Sequence, residues 1–182
     1  IGNTEPKRIC GTGYLSLLDA LLRTGFLDAT GRLASASVSP LAARLLGTVE
    51  RGAAGWSLPL PGGMELAGAD VEEILKVKAA FSLALESLLA ESGLESRALA
   101  RVCLGGALGE HMPETALERL GFLPQGLQAR TVAEGNTSLR GAALLLTRPE
   151  LRERLVRWSS GCTLVDLAAR PDFTALYMRH MV

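Results

Sequence analysis

The stretch RVCLGGALG, Arg101 to Gly109, decides the reading of this chain. Its front half is apolar, carries β-branched Val102, and ends at Gly105 and Gly106. A short apolar run closed by a turn signal is the pattern of a buried strand, and we read a central strand over Ala98–Leu104. Glycines at a strand-to-helix junction let backbone approach a ligand closely, and helix starts aim N–H groups at an anion. Two more glycine-marked turns share the chain: ICGTGYLSLLDALL (9–22) and EGNTSLRGAALLL (134–146). Each leads into an apolar or amphipathic helical run. Three such turns spread over one domain point to a phosphate-bearing ligand held by a layered α/β fold.

Outward from these turns, the pattern alternates. Leu15, Leu18 and Leu22, with Leu17 and Leu21 beside them, mark a helix that Gly25 closes. SPLAARLLG (39–47) reads as a short helix, and Pro59, Pro61 and Gly62-Gly63 as a hairpin at a sheet edge. Asp70 and Glu73 have capping-box spacing before the longest helix, along which Ile74, Val77, Phe81, Leu85, Leu88 and Leu89 recur until Gly93. A helix over about 113–120, a short strand near 129–132, and helices over about 137–146 and 149–158 follow. A strand over Thr163–Leu167 and a helix over Phe173–Met181 complete the order. Strands alternating with helices make α/β layers around a mixed central sheet.

Composition narrows the function. The 182 residues suit one domain, and 48% hydrophobic with 4% aromatic content implies an aliphatic core. Nineteen basic residues balance nineteen acidic ones, so neither nucleic acid nor an anionic membrane is an expected partner. No signal-peptide layout and no apolar run of membrane-spanning length is present, and residue 1 is Ile, so a cytoplasmic piece of a longer protein is expected. Cys10, Cys103 and Cys162 are scattered, with no CxxC, which argues against a disulfide framework or a self-contained metal cluster. Cys103 reads as a small core residue, Trp56 and Trp158 as packing residues, and His111 and His180 as structural.

Five motifs in order carry a family resemblance: Arg8-Ile9-Cys10-Gly11-Thr12-Gly13, DVEEILKVKAAF (70–81), LGGALGEHMP continuing to LGFLP (104–124), GNTSLRGA (135–142), and Pro171-Asp172-Phe173 with Met181. From Ile9 to Met181 the chain resembles the C-terminal ATPase region of the reductive activators of corrinoid proteins, the RACo/RamA-like family. It departs from the family pattern at Leu75, Gly105 and Leu108. The resemblance implies a ribonuclease-H-like, actin-like ATPase lobe spanning 1–182. It implies ATP with magnesium as cofactor, and ATP-driven return of a corrinoid from cob(II)amide to cob(I)amide for methyl transfer. It also implies a corrinoid protein as partner and a possible homodimer. The family's acidic phosphate motifs and its ferredoxin module, which carries the iron–sulfur cluster, would lie upstream of Ile1. The acidic residues nearest the motifs here, Asp19, Glu110 and Glu134, stand in no phosphate motif, so the chain alone is expected to be a poor ATPase.

Each candidate residue has a binding and a structural reading. Gly105 and Gly106 would pass beside the adenosine, or simply make a tight connection. Gly11, Thr12 and Gly13 would form a phosphate-side turn, with Thr12 equally able to cap the helix. Lys78 would reach a phosphate or the adenine edge, or lie along the surface. Gly135 and Asn136 would contact the nucleotide or the hinge between lobes, with Asn136 alternatively a helix cap. The competing function is a scaffold or dimerisation lobe without nucleotide, favoured by Leu75, Leu108 and the apolar helix at 137–146.

Overall fold

The computed structural model describes residues 6–35 and 39–181. Helix α1 (Gly11–Thr24) ends at Gly25, whose φ of 75° supplies the left-handed turn expected of a C-terminal glycine. Helix α2 (Pro40–Leu46) starts with proline in its first turn, and Ser39 caps it by accepting from Ala42 N. Strands β1 (Glu50–Gly52), β2 (Gly55–Leu60) and β3 (Met64–Ala67) form an antiparallel sheet in that order. The β1 register stops at Ser57, so Pro59 sits where β2 is locally an edge.

Helix α3 (Gly68–Glu91) is the longest element. The Asp70 carboxylate accepts from Ala67 N at 2.9 Å, which makes Asp70 the third residue of the helix rather than its cap. Glu73 pairs with Lys76 instead of closing a box with Asp70. The strand expected over Ala98–Leu104 is shorter: Ser96–Ala98 is a 3-10 turn, and β4 covers Val102–Gly105. It pairs in parallel with β5 (Thr131–Gly135), and these two strands make a separate sheet among the described residues. Helices α4 (Gly106–His111) and α5 (Glu114–Arg119) make the crossover. Then come α6 (Thr137–Thr147), α7 (Glu150–Ser160) and α8 (Phe173–Met181).

No strand forms over 163–167; Leu164 is 89% exposed there, and among the described residues no strand pairs with it. Cys103 is exposed, not a core residue, because its alternate in β4 faces away from the packed side. Trp56 packs edge-on to Phe26, whereas Trp158 is 70% exposed.

Two apolar clusters build the interior. The first joins Leu18 and Leu21 of α1 with Phe26, Leu27, Leu58, Leu66 and Val71. The second joins Leu15 of α1 with Met112, Ala116, Leu117, Phe122 and Leu123. Helix α1 therefore belongs to both cores. Buried Asp19 on its flank is bonded to Arg119 of α5, so this carboxylate is structural.

Candidate functional site

Parallel strands deliver their carboxyl ends to one rim, and in open α/β sheets ligands gather there. Gly105 of β4 lies in register with Gly135 of β5, after a local irregularity between Leu104 and Gly105. Gly106 (φ 85°) and Gly135 (φ 63°) adopt left-handed backbone, and a Cβ built on either would meet nothing within 4 Å. Gly105 differs. Its Cβ would come within 2.5 Å of Thr137 Oγ1 and 3.3 Å of its Cγ2, so a side chain there would have to displace Thr137 at the start of α6. Asn136 caps α6, its side-chain oxygen accepting from Leu139 N at 2.9 Å. Glu134 is engaged by Arg101 and Arg140.

The first glycine turn opens α1. Gly11 faces open space, while a side chain on Gly13 would strike Ile9 Cγ2 at 2.9 Å. The helix cap position is held by Cys10, not Thr12, which stands in the first turn with its hydroxyl 3.2 Å from Cys10 Sγ. That hydroxyl, followed by the Gly13 N–H, lowers the Cys10 pKa from its ordinary value by stabilising the thiolate.

Beside Gly11 lies an apolar recess of about 370 Å³, walled by Tyr14 and Leu15 of α1, by Asp70, Glu73, Ile74 and Val77 of α3, and by Phe122. The four α3 positions have the i, i+3, i+4, i+7 spacing of one helix face. Val77 is 61% exposed and Phe81 41%, so the helical recurrence that includes them does not mark core positions: Val77 lines this recess. A second, smaller recess of about 200 Å³ touches Gly105, Gly109, Cys103, Phe81 and Phe122. Phe122 borders both, packed edge-on to Phe81 with centroids 5.8 Å apart. The α1 turn and the β4 turn thus open onto recesses that share one aromatic wall.

Lys78 is not gathered with these glycines. It is buried, 7% exposed, and lines a different cavity of about 770 Å³ with Ser82, Glu86, Glu118, Gly121 and His180. Desolvation lowers its pKa. Leu75, the departure in the same helix, packs on the first core and against Gly31, away from the recess. On the Lys78 side of α3, His180 Nδ1 lies 3.0 Å from Ser82 Oγ and its Nε2 is 2.8 Å from Glu86 Oε2. Arg179 pairs with Glu86, and the Tyr177 hydroxyl donates to Lys76 O at 2.9 Å, so this cluster fastens α8 to α3. No group of three potential metal ligands occurs among the described residues, and none of their helices is long and apolar enough to cross a membrane.

Against known proteins, the family model described as the C-terminal domain of RACo, the ASKHA domain, matches residues 1–182. The chain belongs to this family. A solved structure titled "Reductive activator for corrinoid,iron-sulfur protein" superposes on 97% of the chain with a TM-score of 0.80 at 22% sequence identity. No curated protein matches. The RACo C-terminal fold is therefore that of an actin-like ATPase lobe, mixed α/β with sheet flanked by helices. The chain spans 28% of the length of the solved structure it matches.

Of the recess residues only Gly11 is a candidate binding residue of the sequence; Tyr14, Leu15, Asp70, Glu73, Ile74, Val77 and Phe122 lie within the quoted stretches of sequence but have no binding role there. The signal available for them was the single face shared by 70, 73, 74 and 77. Only Ile74 and Val77 of that face are apolar, and periodicity does not tell a recess wall from a core wall.

Proposed function

We propose that this chain is the nucleotide-binding part of an ATP-dependent reductive activator, which returns a corrinoid from cob(II)amide to cob(I)amide. The observation that carries the reading is the convergence of Gly11, Gly105 and the α3 face on two recesses divided by Phe122. An apolar recess with an aromatic wall and side-chain-free backbone beside it suits a flat base and its sugar. Gly106 and Gly135 leave room at the strand ends for the remainder of the ligand.

The fit is to a nucleoside more than to a triphosphate. No lysine or arginine is among the residues lining either recess, and Asp70 and Glu73 are engaged with Ala67 N and Lys76. When bound, magnesium would neutralise phosphate charge and help position the transferred group. Its carboxylates, the phosphate-holding turns and the iron–sulfur ferredoxin module belong, in this reading, to the rest of a longer polypeptide. A corrinoid protein is the partner that such an activator would serve, and a homodimer is compatible with it.

Calorimetric titration of ATP into the longer polypeptide tests the reading. Gly106→Val adds a branched side chain at a left-handed position facing open space, and should weaken binding roughly tenfold or more. Val77→Trp, at an exposed helical position without backbone strain, fills the recess and should weaken it likewise. Unchanged affinity in both variants removes the site and leaves a scaffold lobe.

A further inference from the structure

A groove of about 830 Å³ borders the first core and shares no lining residue with the two recesses. Its apolar floor is Trp56 of β2, Leu75 of α3, and Met178 and Met181 of α8. Leu75 packs on the core, whereas Met178 is 57% exposed. Arg32 and Arg51, both exposed, line the same groove. Arg51 is the register partner of Trp56 across β1 and β2, which puts guanidinium and indole on one face of the sheet. Glu50, next in the strand, takes the opposite face.

The loop that carries Arg32 is held in place. Asp28 Oδ1 accepts from Thr30 N at 2.8 Å, from Thr30 Oγ1 at 2.7 Å and from Arg32 N at 3.0 Å. Asp28 N donates to Arg32 O at 2.9 Å. Gly31, at φ 75°, lies so close to α3 that a Cβ there would come 2.8 Å from Leu75 Cδ1.

Charge and composition select the occupant. Neither Arg32 nor Arg51 belongs to an ion pair among the described residues. Among those residues Glu72 is the one acidic side chain in the lining. Guanidinium groups in this state are matched by carboxylates brought from outside. Tryptophan, methionine and arginine concentrate in the cores of protein interfaces, where lysine is depleted, and the described lining contains no lysine. Methionine also adapts its shape to an irregular neighbour.

We infer that this groove docks an acidic peptide segment of another protein. A bulky apolar side chain of the segment lies on Trp56, Leu75 and the two methionines, and carboxylates beside it reach Arg32 and Arg51. The fixed loop keeps the cost of ordering Arg32 low. A bare phosphate would meet the guanidinium groups but leave the apolar floor uncovered. The inference needs no nucleotide.

Fluorescence anisotropy of a fluorescein-labelled synthetic peptide, one phenylalanine set among glutamates, titrated with the longer polypeptide tests it. Binding should saturate and should weaken as salt is raised. The Arg32→Ala, Arg51→Ala double variant should weaken it about tenfold. Met178→Ser should weaken it severalfold. All three positions are exposed or on the groove surface, so melting temperatures should stay unchanged and lost binding is read as lost contact. A peptide with lysines in place of the glutamates should not bind. Absence of saturable binding overturns the proposal, whether the groove rejects the peptide or a segment of the same polypeptide already fills it. Unchanged affinity in the double variant overturns it too. Equal binding of a peptide with alanine in place of phenylalanine would make the groove a simple anion site, and the docking surface would be withdrawn.

Discussion

At Cys10 the thiol stands where the backbone N–H groups of a fourteen-residue helix begin, beside the Thr12 hydroxyl. The hydrogen bond from Thr12 is the main cause of its lowered pKa, so Thr12→Ala should return the thiol towards its ordinary value. In a Cys103→Ser, Cys162→Ser background, the pH profile of iodoacetamide alkylation should move to higher pH. An unmoved profile would assign the effect to the helix N–H groups alone. Lys78 is the opposite case, a cation whose pKa burial has lowered. The unfolded chain then binds more protons than the folded one between the lowered value and about 10.4, so stability rises with pH across that window. Lys78→Met should flatten that alkaline rise in denaturant midpoints, and should leave ATP affinity of the longer protein unchanged because Lys78 lines another cavity. The glycine turns were legible at this scale. Lys78 was not, because residue type and spacing do not say which side of a helix a recess occupies.

Among elements, α6 shows how a candidate ligand residue can be committed elsewhere. Asn136 holds the first turn of the helix through Leu139 N, and Asn136→Ala should cost about 1 kcal/mol in chemical denaturation. Asn136→Asp should retain the cap and most of that stability. If both variants cost the same, the side-chain oxygen is not what starts the helix. Helix limits were readable from such signals: Gly25 after α1, Pro40 opening α2, and the bounds of α8. The strand expected over 163–167 failed for a different reason. Its apolar residues have β-forming character, but a strand is stabilised by its neighbour, and none pairs with it among the described residues. The Asp70–Glu73 spacing misled similarly. The helix begins at Gly68, and Asp70 accepts from Ala67 N, the cap residue before it, from inside the first turn.

For the whole molecule, the decisive arrangement is α1 sandwiched between two cores, with Asp19 and Arg119 joining its flank to α5. Phe26, fully buried against Trp56, anchors the first core. Phe26→Ala should cost about 3–5 kcal/mol, seen as a large fall in denaturant midpoint; a loss below about 1 kcal/mol would mean the core refills the space. The family and the α/β class were legible because glycines and helix starts are local features. The recess walls were not, since they depend on how α1, α3 and Phe122 meet across the fold.

The fastening of α8 to α3 has a consequence during synthesis. Tyr177 meets Lys76 across 101 positions of chain, and Ser82 meets His180 across 98. At ribosomal speeds of about 5–20 residues per second, that face of α3 leaves the exit tunnel roughly five to twenty seconds before its cover. Ser82 and Glu86 make it polar enough to wait in water without recruiting an unwanted neighbour. The nascent chain can then assemble both cores first and close the latch last.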